Sequence, residues 1–378
     1  MQKQEVPRAD NPAGSIGSSR KTNKVNILYL ANHLNTGGIT SYLFSLASGM
    51  KKKGHNVFIA SHSGESLDKF LKLGVNFIEI PIKTKKEISP SVIFSYLKLR
   101  NKLKKNKIDI VHSNSRTTQV LGCLLNKFEN IAHVSTCHGY FKRRPLRLIF
   151  PCWGMKVIAI SEQVKEHLMH DFKLDEGCIR VINNGIDIDR FRIKKGLAYR
   201  DGPVVGIIAR LSDVKGHIYL IRAMKIVLEK FPSAKLLVVG EGKMYNILLR
   251  LVEELNIEKH VEFIMRTEDT RIELAAMDVF VMPSLKEGLG LALMEAMTSA
   301  KAVVGTDVGG IKSLIKDKVN GLLVKPADPE GLAGAISELL SNPTQAETYA
   351  QAAARFIAEN FPLDKMVNQT EKVYLECV

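Results

Sequence analysis

The chain has 378 residues, 45% hydrophobic and 25% charged, an ordinary globular composition with room for two domains. Its net charge of +15 is uneven: 34 Lys and Arg stand against 15 Asp and Glu in residues 1–200, and 20 against 24 in the remainder. No run of about 18 apolar residues occurs, which excludes an ordinary spanning helix. The five cysteines (Cys123, Cys137, Cys152, Cys178, Cys377) form no CxxC pair, which excludes a zinc ribbon and points to a reducing cytosol.

Residues 1–23 are polar and rich in Gly, Ser and Pro, without an apolar signal core, and read as a disordered tail. Short apolar runs then alternate with helical periods. The strand candidates are "VNILYLA", "NVFIAS", "VNFIEIPI", "IDIVHS", "HVSTCH", "VIAIS" and "IRVINN", with a helix expected over Ile39–Lys53. A polar, Gly-containing linker near 193–202 follows, and the rhythm restarts with "PVVGIIA", "KLLVVGEG", "VEFIM", "VFVMPS", "AVVGTD" and "GLLVKP". Near-continuous apolar strands between helices predict parallel sheets covered on both faces. The expected class is α/β, with doubly wound domains over 24–192 and 203–360 and a terminal helix over 361–378. Such sheets bind ligands beyond the carboxyl ends of their strands, so two facing edges define one cleft.

The residues that carry chemistry cluster at those edges. In "PSLKEGLGLALMEAM" a strand ends, Gly288-x-Gly290 follows, and a helix opens. A helix N-terminus offers unpaired N–H groups, and the glycines admit a phosphate close to the backbone. Glu287 in that loop and Glu295 on the second helical turn would face one cleft, although a capped helix with surface glutamates explains the stretch equally well. In "GIIARLSDVKGH", Arg210 and Lys215 sit past a strand end, where two cations suit a diphosphate. Gly37 and Gly38 close the loop after the first strand. His112 and His138 each end a strand, with a structural role the alternative for both. Asp187-x-Asp189 resembles a metal-binding pair, but its place after Asn-Asn-Gly reads as a helix cap.

This ordered set resembles the retaining glycosyltransferases of family four, whose two-domain architecture is called GT-B. "EGLGLALMEAM" is similar to the family's paired-glutamate motif and "ARLSDVKG" to its diphosphate site. "NTGGI", "CHG", "NNGID", "GTDVGG" and "NGLLV" fall in the family's order. The resemblance spans roughly residues 25–375. It implies a nucleoside diphosphate sugar donor, with uridine the expected base, and no metal or other cofactor. Glu295 would hold the ribose and Glu287 the donor sugar. Arg210 and Lys215 would hold the diphosphate. Gly37 and Gly38 would lie against the donor phosphate. His138 would sit near the sugar. Arg266 and Thr267 would line the base pocket, and the backbone of Gly288, Leu289, Gly290 and Leu291 would hold sugar and phosphate. The terminal helix would cross back onto the first domain. Met265, Ser313 and Met155 depart from the family's usual residues without removing a charged catalytic position.

The basic half points to the acceptor. "PSVIFSYLKLRNKLKKNK" reads as a helix with Val92, Tyr96, Leu99 and Leu103 in one stripe, Ile93 and Leu97 beside it, and Lys98, Lys102, Lys104 and Lys105 around it. The stripe reads equally as core or as a membrane face. "HGYFKRRPLRLIF" adds Lys142, Arg143, Arg144 and Arg147. Such segments suit an anionic membrane surface and a lipid-linked, lipopolysaccharide or other cell-surface glycan acceptor, met at the inner face of the cytoplasmic membrane by a cytoplasmic, peripheral protein. A small soluble acceptor is the alternative. Nucleic acid is not an expected partner, because no zinc finger or aromatic RNA-binding strand motif accompanies the charge.

Overall fold

The computed structural model describes residues 24–82, 89–193, 202–265, 267 and 269–378. The tail 1–23, most of the expected linker and Arg266 lie outside the described residues.

Each strand read from the sequence forms. The first sheet contains β1 (Asn26–His33), β2 (Asn56–His62), β3 (Asn76–Glu79), β4 (Ile110–Ser113), β5 (Ala132–Cys137), β6 (Lys156–Ala159) and β7 (Ile179–Val181). The second contains β8 (Val204–Ile208), β9 (Lys235–Val239), β10 (Val261–Ile264), β11 (Val279–Met282), β12 (Ala302–Thr306) and β13 (Leu322–Val324). The orders are β3-β2-β1-β4-β5-β6-β7 and β10-β9-β8-β11-β12-β13, with every neighbouring pair parallel. These are two Rossmann-like domains, as the alternation predicts. The winding reverses between β1 and β4 and between β8 and β11, the places where doubly wound sheets bind ligands.

β1 shows why the strands read as unbroken apolar runs. Ile27, Leu28, Tyr29 and Leu30 are all fully buried. Ile27 and Tyr29 enter a core with the helix Gly38–Lys52, whereas Leu28 and Leu30 enter another with the helices Pro90–Lys105 and Arg116–Glu129. Each fully buried aliphatic side chain contributes about 1.5–3 kcal/mol. In the helix Pro90–Lys105, Val92, Leu99 and Leu103 are buried, and the Tyr96 hydroxyl donates to Glu129 at 2.8 Å. The stripe is therefore core. The exposed apolar residues are its neighbours Ile93, Phe94 and Leu97.

The terminal helix Leu363–Leu375 leaves the second domain and packs into the first, where Met366, Val367, Val373 and Tyr374 join the core around β1. A Cβ on Gly49 would lie 2.3 Å from Val367 Cγ2, so only glycine permits this approach of the two helices. Glu371 accepts from Lys53 at 2.7 Å and pairs with His55 at 2.8 Å, which ties the helix down further.

Candidate active site

The second domain builds one wall of the cleft from two loops held together by backbone. Gly216 has φ +71°, and a Cβ there would lie 1.9 Å from the Pro283 carbonyl oxygen. Glycine is thus needed for both conformation and space. Leu285 N–H donates to Val214 O at 2.8 Å, which pins the loop after β11 to the turn that carries Lys215. As a result the Lys215 ammonium pairs directly with the Glu287 carboxylate, both side chains being largely buried. Ser284 Oγ donates to the same carboxylate at 3.4 Å and Gly288 N–H at 3.2 Å. Gly290, at φ +89°, turns the chain into the helix Leu291–Thr298.

Glu295 lies on the second turn of that helix. It accepts from Thr270 Oγ1 at 3.1 Å. Burial pushes its carboxyl up to about 7, against the pull of the Thr270 bond and of Arg190. Arg210 stands exposed past the end of β8. Thr267 Oγ1 accepts from Asp269 N–H at 3.2 Å in the loop after β10.

The first domain supplies the opposite wall. Gly37 caps the helix Gly38–Lys52, and a Cβ on Gly38 would lie 3.8 Å from Leu291 Cδ1, across the cleft. A Cβ on Gly288 would come within 2.9 Å of the His138 carbonyl oxygen, so the Gly-x-Gly loop runs directly against the end of β5. Ser161 Oγ donates to Gly288 O at 3.4 Å. Gly309 and Gly310 close in behind, each too near the backbone of Glu287 or Gly288 to carry a side chain. His138 donates from Nε2 to Asn114 Oδ1 at 3.1 Å, its ring edge-on to Tyr42 with centroids 4.7 Å apart. Burial depresses it to about 3, so the imidazole is neutral at any working pH. It can accept a hydrogen bond from a sugar hydroxyl but carries no proton to the reaction.

The structure thus brings Gly37, Gly38, His138, Lys215, Glu287, Gly288, Leu289, Gly290 and Leu291 to one interdomain cleft. It sets other candidates apart. His112 is fully buried between Tyr374 and Thr136 and is structural. Asp187 caps the helix Ile188–Phe191 by accepting from Arg190 N–H at 3.1 Å. Arg147 was expected on the basic surface, but it is buried, its guanidinium 4.5 Å from the Phe141 ring centroid, because stacking on the aromatic draws it inward. Lys98, Lys102, Lys104, Lys105, Lys142, Arg143 and Arg144 are exposed, although Lys104 pairs with Glu129 at 3.3 Å. Asn114, Ser284 and Thr270, which support His138, Glu287 and Glu295, were not singled out from sequence. Asn114 directly follows β4 and Ser284 lies two residues past the end of β11, which is a usable signal, whereas Thr270 has none.

Two facing Rossmann-like domains with a Gly-rich, cation-bearing cleft define a GT-B transferase. Residues 36–190 match the family model Glycosyltransferase Family 4, and residues 189–356 match Glycosyl transferases group 1. The chain belongs to this glycosyltransferase family and is a transferase enzyme. It is 27% identical to an uncharacterised glycosyltransferase of Methanocaldococcus jannaschii over 89% of this chain and 94% of the relative. It is 26% identical to the UDP-Gal:alpha-D-GlcNAc-diphosphoundecaprenol alpha-1,3-galactosyltransferase of Escherichia coli, over 75% and 79%. Among solved structures, Anabaena HepE in complex with UDP and glucose superposes with a TM-score of 0.82 at 21% identity, over 94% of this chain and all of that one.

Proposed function

We propose that this glycosyltransferase moves a hexose-type sugar from a uridine diphosphate sugar to a lipid-linked or other cell-surface glycan acceptor, with retention of anomeric configuration and without a metal. The observation that carries the donor reading is the Lys215–Glu287 pair at the mouth of the Gly288-x-Gly290 turn, which runs against the backbone of His138. An arriving diphosphate competes for Lys215. The ammonium exchanges carboxylate for phosphate, and Glu287 is freed to accept from sugar hydroxyls. Lys215, Arg210 and the N-terminus of the helix Leu291–Thr298 then stabilise the negative charge that develops as the glycosidic bond breaks. The leaving phosphate takes the proton of the acceptor hydroxyl on the same face. Domain closure around the site excludes water and limits hydrolysis.

The acceptor reading rests on the first domain. Ile93, Phe94 and Leu97 are exposed beside Lys98, and Leu148, Ile149 and Phe150 are exposed just after Lys142, Arg143 and Arg144. Among the described residues no helix is long and apolar enough to cross a membrane. An apolar set ringed by cations suits a protein that lies on an anionic bilayer. The diphosphoundecaprenol-linked acceptor in the name of the Escherichia coli relative supports the same class of acceptor.

The test is the thermal midpoint with UDP, GDP and ADP, each with and without EDTA. UDP is expected to raise the midpoint regardless of EDTA, with about 2.7 kcal/mol of stabilisation at 100 times its Kd. Arg210→Ala/Lys215→Ala is expected to abolish the shift. A shift from another nucleotide alone would change the donor, and no shift from any would refute the donor site.

A further inference from the structure

Behind His138 lies a set of buried polar groups that the donor site itself does not engage. We propose that the terminal helix acts on the sugar-transfer reaction through His138, with Tyr374, His112 and Thr136 as positioning residues. This rests on the donor-site reading of His138 and adds to it the control of that ring from the far end of the chain.

Two routes lead from His138 inward, and both arrive at His112. In the first, the Tyr42 ring packs edge-on against His138, and the Tyr42 hydroxyl lies 3.2 Å from Thr136 Oγ1. Thr136 Oγ1 lies 2.7 Å from His112 Nε2. In the second, Asn114 Oδ1 accepts from His138, while its Nδ2 donates to the carbonyl oxygens of His112 at 3.3 Å and Leu30 at 3.5 Å. His112 Nδ1 in turn lies 2.6 Å from the hydroxyl of Tyr374, on the terminal helix. Tyr42, Asn114, His112, Thr136 and Tyr374 are all buried.

The protons follow from the partners. Carbonyl oxygens only accept, so the Asn114 amide must turn its Nδ2 toward Leu30 and His112, and its Oδ1 toward His138. His138 is therefore the Nε2–H tautomer, and Nδ1, which has no hydrogen-bond partner among the described residues, keeps its lone pair for a sugar hydroxyl. Tyr374 O–H donates to Tyr29 O at 3.5 Å. His112, kept neutral by burial, donates from one ring nitrogen and accepts at the other, with Tyr374 on one side and Thr136 on the other. These bonds join polar groups buried away from water, where each is electrostatically stronger than in solvent. An apolar core would hold the helix equally well, but would not fix the Tyr42 hydroxyl and, with it, the ring that packs edge-on against His138.

Tyr374→Phe removes one oxygen and keeps the ring in its core. Two readouts apply: the imidazole nitrogen shifts of His138 by NMR on histidine-labelled protein, and the release of UDP from UDP-glucose with kcat and KM separated. We expect UDP affinity within about twofold of the parent and kcat lowered about tenfold, the scale of a small displacement at a reacting centre. The His138 nitrogen shifts are expected to move as the Tyr42 ring against it loses its anchor, with the Nε2–H tautomer set by Asn114 kept, whereas Asn114→Ala is expected to give a tautomer mixture. His138→Ala serves as reference. Unchanged kcat and unchanged His138 shifts in Tyr374→Phe, with His138→Ala impaired, would overturn the positioning role and leave the donor site standing. An active His138→Ala would overturn both. Should Tyr374→Phe not fold, Thr136→Val breaks the same route on the other side of His112, and the NMR readout needs no donor.

Discussion

On the proposed donor reading, in which Glu295 holds the ribose, this carboxyl gives nucleotide binding its pH dependence. In the free enzyme, burial raises its carboxyl from 4.5 to about 7. Ribose hydroxyls donate hydrogen bonds, so they bind the anion and not the acid. Affinity for UDP is therefore expected to be flat above about pH 7 and to fall below it, approaching tenfold per pH unit, with proton release on binding near neutrality. Calorimetric titration of UDP between about pH 5.5 and 8.5, in buffers of different ionisation heat, reads both effects. Glu295→Gln should lower the affinity at high pH and remove its pH dependence. A wild type with no loss of affinity toward acid would refute ribose binding by this carboxylate. The sign for folding is separate. A carboxyl raised in the folded state favours folding at pH below about 4.5, and that contribution is lost as pH rises through about 7. The same burial that tunes the site thus costs stability at the pH where the site works. Glu287 is managed differently, by a lysine and a backbone N–H placed against it.

The helix Pro90–Lys105 separates packing from surface within a few residues. Leu99→Ala empties a fully buried position and is expected to cost about 2–5 kcal/mol. Phe94→Asp, at 62% exposure, is expected to change stability by less than about 0.5 kcal/mol. Urea unfolding of both variants checks this, and equal losses would mean the helix is packed on both sides. The contrast also shows what a sequence can reveal. Strands between two helical layers are mostly apolar, so β1–β13 stood out even though β5 buries His133, Ser135 and Thr136 and the edge strands β3 and β10 stay partly exposed, and the Gly-x-Gly turn located Glu287 and Glu295 because the chain itself joins them. Sequence periodicity marked the stripe through Val92, Leu99 and Leu103 but not what covers it. Arg147 lies in the helix Pro145–Ile149, too short to show a period, so its turn toward Phe141 left no trace among the neighbouring cations. The pairing of His112 with Tyr374 crosses 262 positions, and only the completed fold brings them together.

The two domains divide charge as they divide chemistry. The first 200 residues hold all of the positive excess, while the remainder, where most of the expected diphosphate contacts lie, is slightly acidic overall. On the proposed reading, a donor that carries its own negative charge needs only Lys215 and Arg210, which leaves the other cations to the acceptor side. The helices Pro90–Lys105 and Arg116–Glu129 pack on the same core of the first sheet, and the segment that bears Leu148, Ile149 and Phe150 is held to the second of them by Arg116 bonds to Phe150 O and Pro151 O. Exposed apolar side chains and lysines therefore share one layer, and a bilayer fits that arrangement because the apolar groups can enter the interface while the cations meet headgroups. Each lysine near an anionic surface contributes about 1 kcal/mol. Lys98→Ala/Lys102→Ala/Lys105→Ala, which spares Lys104 and its bond to Glu129, is accordingly expected to weaken partition onto vesicles of mixed anionic and neutral lipid roughly 100-fold. Phe94→Asp should weaken it too, by removing apolar insertion rather than charge. The two losses differ in salt: binding of the Phe94 variant should still fall steeply with ionic strength, because its lysines remain, whereas that of the lysine variant should fall less. Vesicle sedimentation at two salt concentrations reads all of this, with UDP affinity measured alongside to show that the donor site is intact. Full vesicle binding by both variants would remove the bilayer from the account and leave a soluble acceptor as the partner of the same cleft.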